Sequence, residues 1–161
     1  MKSLAKVLLL TVLVVGIIGV AIAANNDNHT VTVTVNAINE LAIIGGNVTL
    51  TINSATAGSD PDDQVDSTTA DLDWTTNEAS KKITVVSNLA AQSFTLKSVA
   101  QNVTGGTAAS EVTVTDTAAD FVTGVATTLG GCDIQYTGSA TAAQGTGSDV
   151  HTITYTITDV S

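Results

Sequence analysis

The stretch HTITYTITD, residues 151–159, alternates threonine with large apolar side chains. A period of two is typical of a β-strand with one face on a core and the other in water. Near the N-terminus, HTVTVTV, residues 29–35, repeats the same pattern. The chain therefore carries nearly the same predicted strand close to both ends. The alternating residues of the two strands are Thr30, Val31, Thr32, Val33, Thr34 and Val35, and Thr152, Ile153, Thr154, Tyr155, Thr156 and Ile157.

The same alternation recurs between these two segments. It is clear in "VTLTI" (residues 48–52), in "LDW" (72–74) and in "VTVT" (112–115). Threonine and valine are β-branched and fit pleated surfaces, so propensity agrees with the pattern. We expect about nine short strands and an all-β fold, an antiparallel β-sandwich of immunoglobulin-like or pilin-like type.

Two local features refine this expectation. Gly45-Gly46 lies between two apolar runs and predicts a two-residue hairpin turn. Asp116 or Thr117 could cap one short helical turn through Phe121 and Val122. Trp74 and most of the other few aromatic residues are predicted to lie in the core.

Residues 1–23 have the features of a signal peptide. Lys2 and Lys6 precede an uncharged apolar run, and Ala21-Ile22-Ala23 offers small residues for cleavage after Ala23. An uncleaved membrane anchor is the alternative, because the run is close to the length that spans a bilayer. We expect residues 24–161 to form a single β-sandwich domain, extracellular or at the cell surface, which contacts a membrane only during export or through an uncleaved leader.

The charge of this predicted domain restricts its partners. All fifteen acidic residues lie in residues 24–161, against three lysines and no arginine, which gives a formal charge of −12. Such a domain would be repelled by phosphate backbones, so nucleic-acid binding is not expected.

Several residues could carry chemistry. Cys132 has no partner for an internal disulfide and is interpreted as a buried apolar side chain, with an intermolecular disulfide or a reactive thiol as alternatives. Asn28, Asn47 and Asn102 match the N-glycosylation pattern, which threonine-rich sequences also match by chance. His29 and His151, the two histidines, each begin a threonine-alternating strand and are interpreted as solvated strand-end side chains rather than metal ligands.

An acidic loop is the one candidate metal site. It places four aspartates within seven residues, and calcium requires six to eight oxygen ligands. The spacing is not that of an EF-hand, so a solvated loop is the first interpretation and structural calcium the second; no other cofactor is expected. No nucleophile motif or pair of cleft carboxylates is recognisable, so we do not expect an enzyme. The calcium candidates are Asp60, Asp62, Asp63 and Asp66.

The two terminal strands bear on function because neither carries a charge between its histidine and residue 35 or 158. Long uncharged edge strands aggregate unless lysine, proline or a bulge protects them. The two strands could pair within one closed monomer, form opposite edges that pair between subunits, or exchange, with one strand completing the next subunit. A head-to-tail contact of the last kind generates a filament of identical subunits.

The exported leader, the Thr/Val/Ala-rich sandwich and the closing HTITYTITD resemble prokaryotic fimbrial and biofilm-filament subunits, including spore-coat-U-like and chaperone–usher pilins. The resemblance implies a structural subunit of an extracellular filament or pilus, assembled by donor-strand complementation, with roles in adhesion and biofilm. Chaperone–usher subunits usually hold a disulfide, for which Cys132 has no partner, so a distinct assembly route is implied. The alternative function is a secreted or surface-attached binding module for carbohydrate or protein.

Overall fold

The fold is antiparallel and all-β. The structure is a computed structural model that describes residues 25–160, so the predicted signal peptide, residues 1–23, lies outside the described residues. The chain divides into two units before Val35, and all the strands of residues 25–160 belong to the unit that begins there. The ten strands are β1 Asn39–Gly45, β2 Gln64–Asp66, β3 Ala70–Thr76, β4 Lys81–Ser87, β5 Thr95–Thr104, β6 Thr107–Ala108, β7 Val112–Thr113, β8 Ala119–Val125, β9 Thr128–Ser139 and β10 Ile153–Asp159.

The strands form two sheets. Sheet 1 has the order β1-β3-β9-β5-β7, with β2 pairing the far end of β9. Sheet 2 has the order β10-β4-β8-β6. The predicted antiparallel β-sandwich is confirmed, with ten strands where about nine were expected.

The core consists of inward-facing residues of both sheets. Leu72, Ile83 and Ile134 are fully buried, and Trp74 is 3 % exposed, as predicted from the alternation. Buried residues alternate with half-buried or exposed ones along β3 and β4, since successive strand side chains point to opposite faces. Four of the five aromatic side chains belong to this core, namely Trp74, Phe121, Tyr136 and Tyr155.

The helical turn predicted at residues 116–122 is wrong in position. Phe121 and Val122 belong to β8, and both are buried although they are consecutive. Register shifts between β4 and β8 mark a bulge, which lets two neighbouring side chains enter the core. The two adjacent buried residues reflect this bulge and not a helical turn. The one helical element among residues 25–160 is a 3-10 helix at Ala142–Gln144.

The predicted hairpin at Gly45-Gly46 is also wrong. β1 ends at Gly45 and pairs along its whole length with β3 instead of with the residues that follow it. Gly45 has a φ of +106°, and a Cβ built on it would lie 2.0 Å from the Thr69 carbonyl oxygen. The glycine is required here by a close backbone approach, and the following alternating stretch, Val48 to Ile52, is not a strand.

Candidate functional site

The N-terminal segment does not form the strand that its pattern predicts. None of the residues from 26 to 38 is assigned to a strand, and none lies in a turn or bend. The side chains of Val31, Val33 and Val35 are 71 %, 83 % and 71 % exposed. We call residues 30–35 the N-terminal arm. Its valine side chains are largely in water, and it is a strand in pattern alone.

The chain that follows the arm is held firmly. The side-chain amide of Asn77 donates to the Asn36 carbonyl at 2.7 Å, and its Oδ1 accepts from Ile38 N at 2.8 Å. The Asn77 backbone N–H donates to the Ile38 carbonyl at 3.2 Å. Three hydrogen bonds from one residue therefore fix the chain just before β1, and the arm begins from a defined point.

The last strand forms where it was predicted, shifted by one residue. β10 is an edge strand of sheet 2, and each of its residues pairs with β4. Thr152 lies just before it, where its N–H donates to Asn88 Oδ1 at 2.7 Å. His151 begins this segment as a half-buried residue, with its Nδ1 2.9 Å from Ser87 Oγ. The segment is thus tied down at its entry as well as along its length.

Tyr155 fixes the middle of β10 to the core. Its hydroxyl is 2.8 Å from the hydroxyl of Tyr136 on β9, and its ring centroid is 4.9 Å from that of Phe121. Burial raises the pKa of both tyrosine hydroxyls above their usual range. Both groups therefore stay neutral, and their hydrogen bond joins the two sheets.

The two lateral sides of the sandwich differ. On one side the sheets end in β6 and β7, strands of two residues each, joined by a three-residue connection. Very short edge strands offer little backbone for pairing with another chain. On the other side the sheets end in β1 and β10, which approach each other and have seven residues each. We call this side, formed by β1 and β10, the open edge.

Apolar side chains along the open edge are incompletely covered. Ile43 of β1 pairs with fully buried Leu72 and so faces inward, yet it is 52 % exposed. Ile153 and Ile157 of β10 are inward-facing and only partly buried. An inward isoleucine that is half in water means that the core is not sealed on this side.

Polar groups tie one end of the open edge. Lys81 Nζ is 2.6 Å from Asp159 Oδ1 at the end of β10 and 3.0 Å from Glu78 Oε2. Glu78 in turn accepts from Asn39 Nδ2 at the start of β1, at 2.5 Å. The hydrogen bonds to Asp159 and Glu78 raise the pKa of Lys81, so it remains charged. The side chain of Asn39 and the end of β10 are thereby linked at one end of the edge.

Two of the four calcium candidates, Asp66 and Asp60, accept hydrogen bonds within the protein. The Asp66 carboxylate accepts from the backbone N–H groups of Thr68 and Thr69 and from the Thr69 hydroxyl, and the hydroxyl contact is the main cause of its lowered pKa. Asp60 Oδ1 accepts from Ala142 N at 2.9 Å. Across residues 25–160 no group of three or more His, Cys, Asp or Glu residues is close enough to hold a metal ion. Calcium binding by Asp60, Asp62, Asp63 and Asp66 stays a prediction, testable by thermal stability with and without a chelator.

Cys132 is 5 % exposed and lies in the core. Burial, reinforced by the nearby carboxylates of Asp133, Asp71 and Asp73, raises the pKa of its thiol to about 12. A thiol that does not ionise is a poor nucleophile and exchanges slowly with disulfides. The interpretation as a buried apolar side chain fits this environment better than a reactive thiol.

The surface depressions are shallow. The larger of the two best-formed ones in the described part of the chain has a volume of about 410 Å³ and is lined by Gln92, Phe94 and Asp116, among others. Phe94 is the one aromatic ring that lines it, while Trp74, which is 3 % exposed, borders the second depression. A carbohydrate site would need more ring surface than this.

Neither the known protein-family models nor the curated proteins compared with the chain give a match. Within residues 25–160, no helix has the length and apolar character needed to cross a membrane. The arm and the open edge are the structural features that bear on function.

Proposed function

We propose that the protein is a structural subunit of an extracellular filament or pilus, which polymerises head to tail by β-strand addition. The observation that carries this proposal is the N-terminal arm. It has the alternation of a strand, yet its valines are 71–83 % exposed and its residues belong to no sheet. A free strand with one apolar face is suited to complete a sheet of another molecule.

The energetics favour such an addition. Fully burying a valine contributes on the order of 1.5 kcal/mol relative to leaving it exposed, and the arm has three valines on one face. Each backbone hydrogen bond in a new ladder adds on the order of 1 kcal/mol. The subunit offers complementary features, which are the long strands and half-exposed inward isoleucines of the open edge and the half-buried row of Val48, Leu50 and Ile52 just after β1.

The protein surface is consistent with an ordered polymer rather than an aggregate. The short β6 and β7 protect the other side of the sandwich, so strand addition is directed to one side. The excess of fifteen acidic over five basic residues makes free subunits repel each other except where a specific contact forms. A contact between two different surfaces does not close on itself and gives a filament.

Negative-stain imaging of the chain from Ala24 onward tests this function. We expect fibres of regular width, and none after deletion of residues 25–35, which should leave soluble or unstable monomers. The point variant Val33→Asp should also abolish fibres, because it places a charge on the apolar face of the arm. Val150→Asp is the matched control, since Val150 is 80 % exposed in a loop and should tolerate the same change.

A chain that stays monodisperse under all assembly conditions would overturn the filament proposal. Retained binding on glycan or protein arrays by such a monomer would instead favour the alternative of a surface-attached binding module.

A further inference from the structure

The structure distinguishes the roles of the two similar terminal segments. A donated strand must leave its own subunit, and β10 could do so only by breaking seven residue pairs with β4. It would also expose Tyr155, now 8 % exposed, and break the hydrogen bond to Tyr136. The arm has no such ties to a sheet. Among the described residues, the arm is therefore the terminal segment that no sheet holds, and it is the better candidate for donation.

A second segment with strand-like alternation, which belongs to none of the ten strands, lies just after β1. Residues 47–53 run without a turn or bend, and Val48, Leu50 and Ile52 are half-buried while the residues between them are exposed. Val48 and Leu50 pack against the core, and Leu50 lies over Gly138 of β9, where a Cβ would be 3.2 Å from its Cδ1. One face of this segment is thus placed as the inward face of a strand would be.

The backbone of this segment has no backbone hydrogen-bond partner in the described unit that begins at Val35. The nearest backbone-to-backbone hydrogen bonds are Gly46 N to Thr69 O at 3.2 Å before it and Asp62 N to Ser54 O at 2.9 Å after it. Within residues 35–160, none joins residues 47–53 to another part of the backbone. Half-buried side chains along a main chain that has no ladder partner in this unit are the features of a strand that lacks its neighbour.

Chain connectivity prevents the arm from pairing fully with this segment in its own subunit. Three residues, 36–38, separate Val35 from β1, and Asn77 holds them at the start of that strand. Residue 47 lies beyond the other end of β1, which at 3.4 Å per residue is about 20 Å long. Three residues span at most about 11 Å. Residues 30–35 can align with residues 47–53 only in another molecule.

We propose that residues 30–35 of one copy add as a β-strand to residues 47–53 of a second copy. This assignment rests on the proposed filament function and names its donor and its acceptor. The valines of the arm continue the apolar row of Val48, Leu50 and Ile52 toward the core. Its threonines lie on the outer face beside Thr49 and Thr51.

Disulfide trapping in the full chain tests this pairing. Thr32→Cys is combined with Thr49→Cys or with Thr51→Cys, and the matched control combines Thr32→Cys with Thr154→Cys on β10. All four threonines are exposed, so each substitution should leave the subunit folded. Buried Cys132 is present in every variant, and the unsubstituted chain controls for its oxidation. Mild oxidation, non-reducing electrophoresis and mass spectrometry of the linked peptides give the readout, with imaging of the same samples.

We expect a ladder of covalent oligomers from the Thr49 or Thr51 pairing and none from the Thr154 pairing. A ladder through Thr154 would overturn the acceptor assignment in favour of β10. Filaments that form without a ladder through Thr49 or Thr51 would overturn it while leaving the filament function intact. If neither the variants nor the unsubstituted chain form filaments or a ladder, the filament function is contradicted. The acceptor assignment is then contradicted with it.

Discussion

Residues 29–35 and residues 151–157 have nearly the same alternation, but their structures differ. The first segment is exposed and belongs to no sheet, whereas most of the second lies in β10. In the last strand, Tyr155 is 8 % exposed, hydrogen-bonded to Tyr136, and in a tilted ring contact with Phe121. In the arm, Val33 occupies the corresponding apolar row and is 83 % exposed. The alternation of threonine with an apolar residue therefore makes a segment able to form a strand, but a neighbour of matching register decides whether it does.

The neighbours explain the difference. β10 lies beside β4, whose Ile83 and Val85 are fully buried and face the same core. The arm precedes a short anchored stretch held by Asn77, after which the chain enters β1. We therefore expect the last segment to contribute to the folding stability of the subunit and the first segment to contribute little.

The largest expected effect on folding is at Tyr155. Tyr155→Ala should destabilise the subunit by about 3–5 kcal/mol, because it removes a buried aromatic ring and leaves a cavity. Val33→Ala should change the free energy of unfolding by less than about 0.5 kcal/mol, since that side chain is exposed. Urea denaturation of dissociated subunits measures both, and equal losses at the two positions would contradict the contrast between the segments.

A smaller effect is expected from the hydroxyl pair that holds β10. Tyr136→Phe removes one hydroxyl and leaves that of Tyr155 buried without its partner, which should cost about 1–3 kcal/mol. The double variant Tyr136→Phe/Tyr155→Phe should recover most of this loss, because neither position then has an unsatisfied group. A double-mutant cycle by urea denaturation gives the coupling, and purely additive losses would mean that the two hydroxyls do not interact.

Alkaline pH should lower the folding stability of the subunit gradually, because it weakens the attachment of β10. Burial raises the pKa of Tyr136 and Tyr155 above the ordinary value of 10.0, so the folded subunit holds these protons more tightly than the unfolded chain. Their contribution to stability is complete below pH 10 and is lost as the pH rises above it. Cys132, whose pKa burial raises from 9.0 to about 12, acts in the same direction from pH 9 upward.

Urea midpoints measured at increasing alkaline pH test this effect. They should fall less steeply in the Tyr136→Phe/Tyr155→Phe variant than in the unsubstituted chain. Identical slopes would contradict the assigned roles of the two tyrosines.

Much of the fold could be predicted from the sequence because its strands obey a strict period of two. Leu72, Trp74 and Ile83 lie in the core as the alternation indicates. The prediction failed where tertiary contacts override the local pattern. A bulge brings Phe121 and Val122 into the core together, and a close approach to Thr69 stops β1 at Gly45.

The candidate site could be predicted only in part. The pattern identified residues 30–35 and 152–157 as strand-forming, but it could not reveal that the first segment is free and the second fixed. That difference depends on the register in which a segment pairs with β4, and this pairing cannot be derived from a single sequence. Residues 48–52 were predicted to be an ordinary strand, and only the lack of a backbone partner in the described unit that begins at Val35 identifies residues 47–53 as a candidate acceptor.

Hydrogen–deuterium exchange on assembled and dissociated protein tests the central claim most directly, since it reports on the arm's own backbone. The amides of residues 30–35 should exchange rapidly in dissociated subunits and become strongly protected in the polymer. Polymer in which those amides still exchange as fast as in the free subunit would contradict the claim that the arm is a strand supplied to a neighbouring molecule.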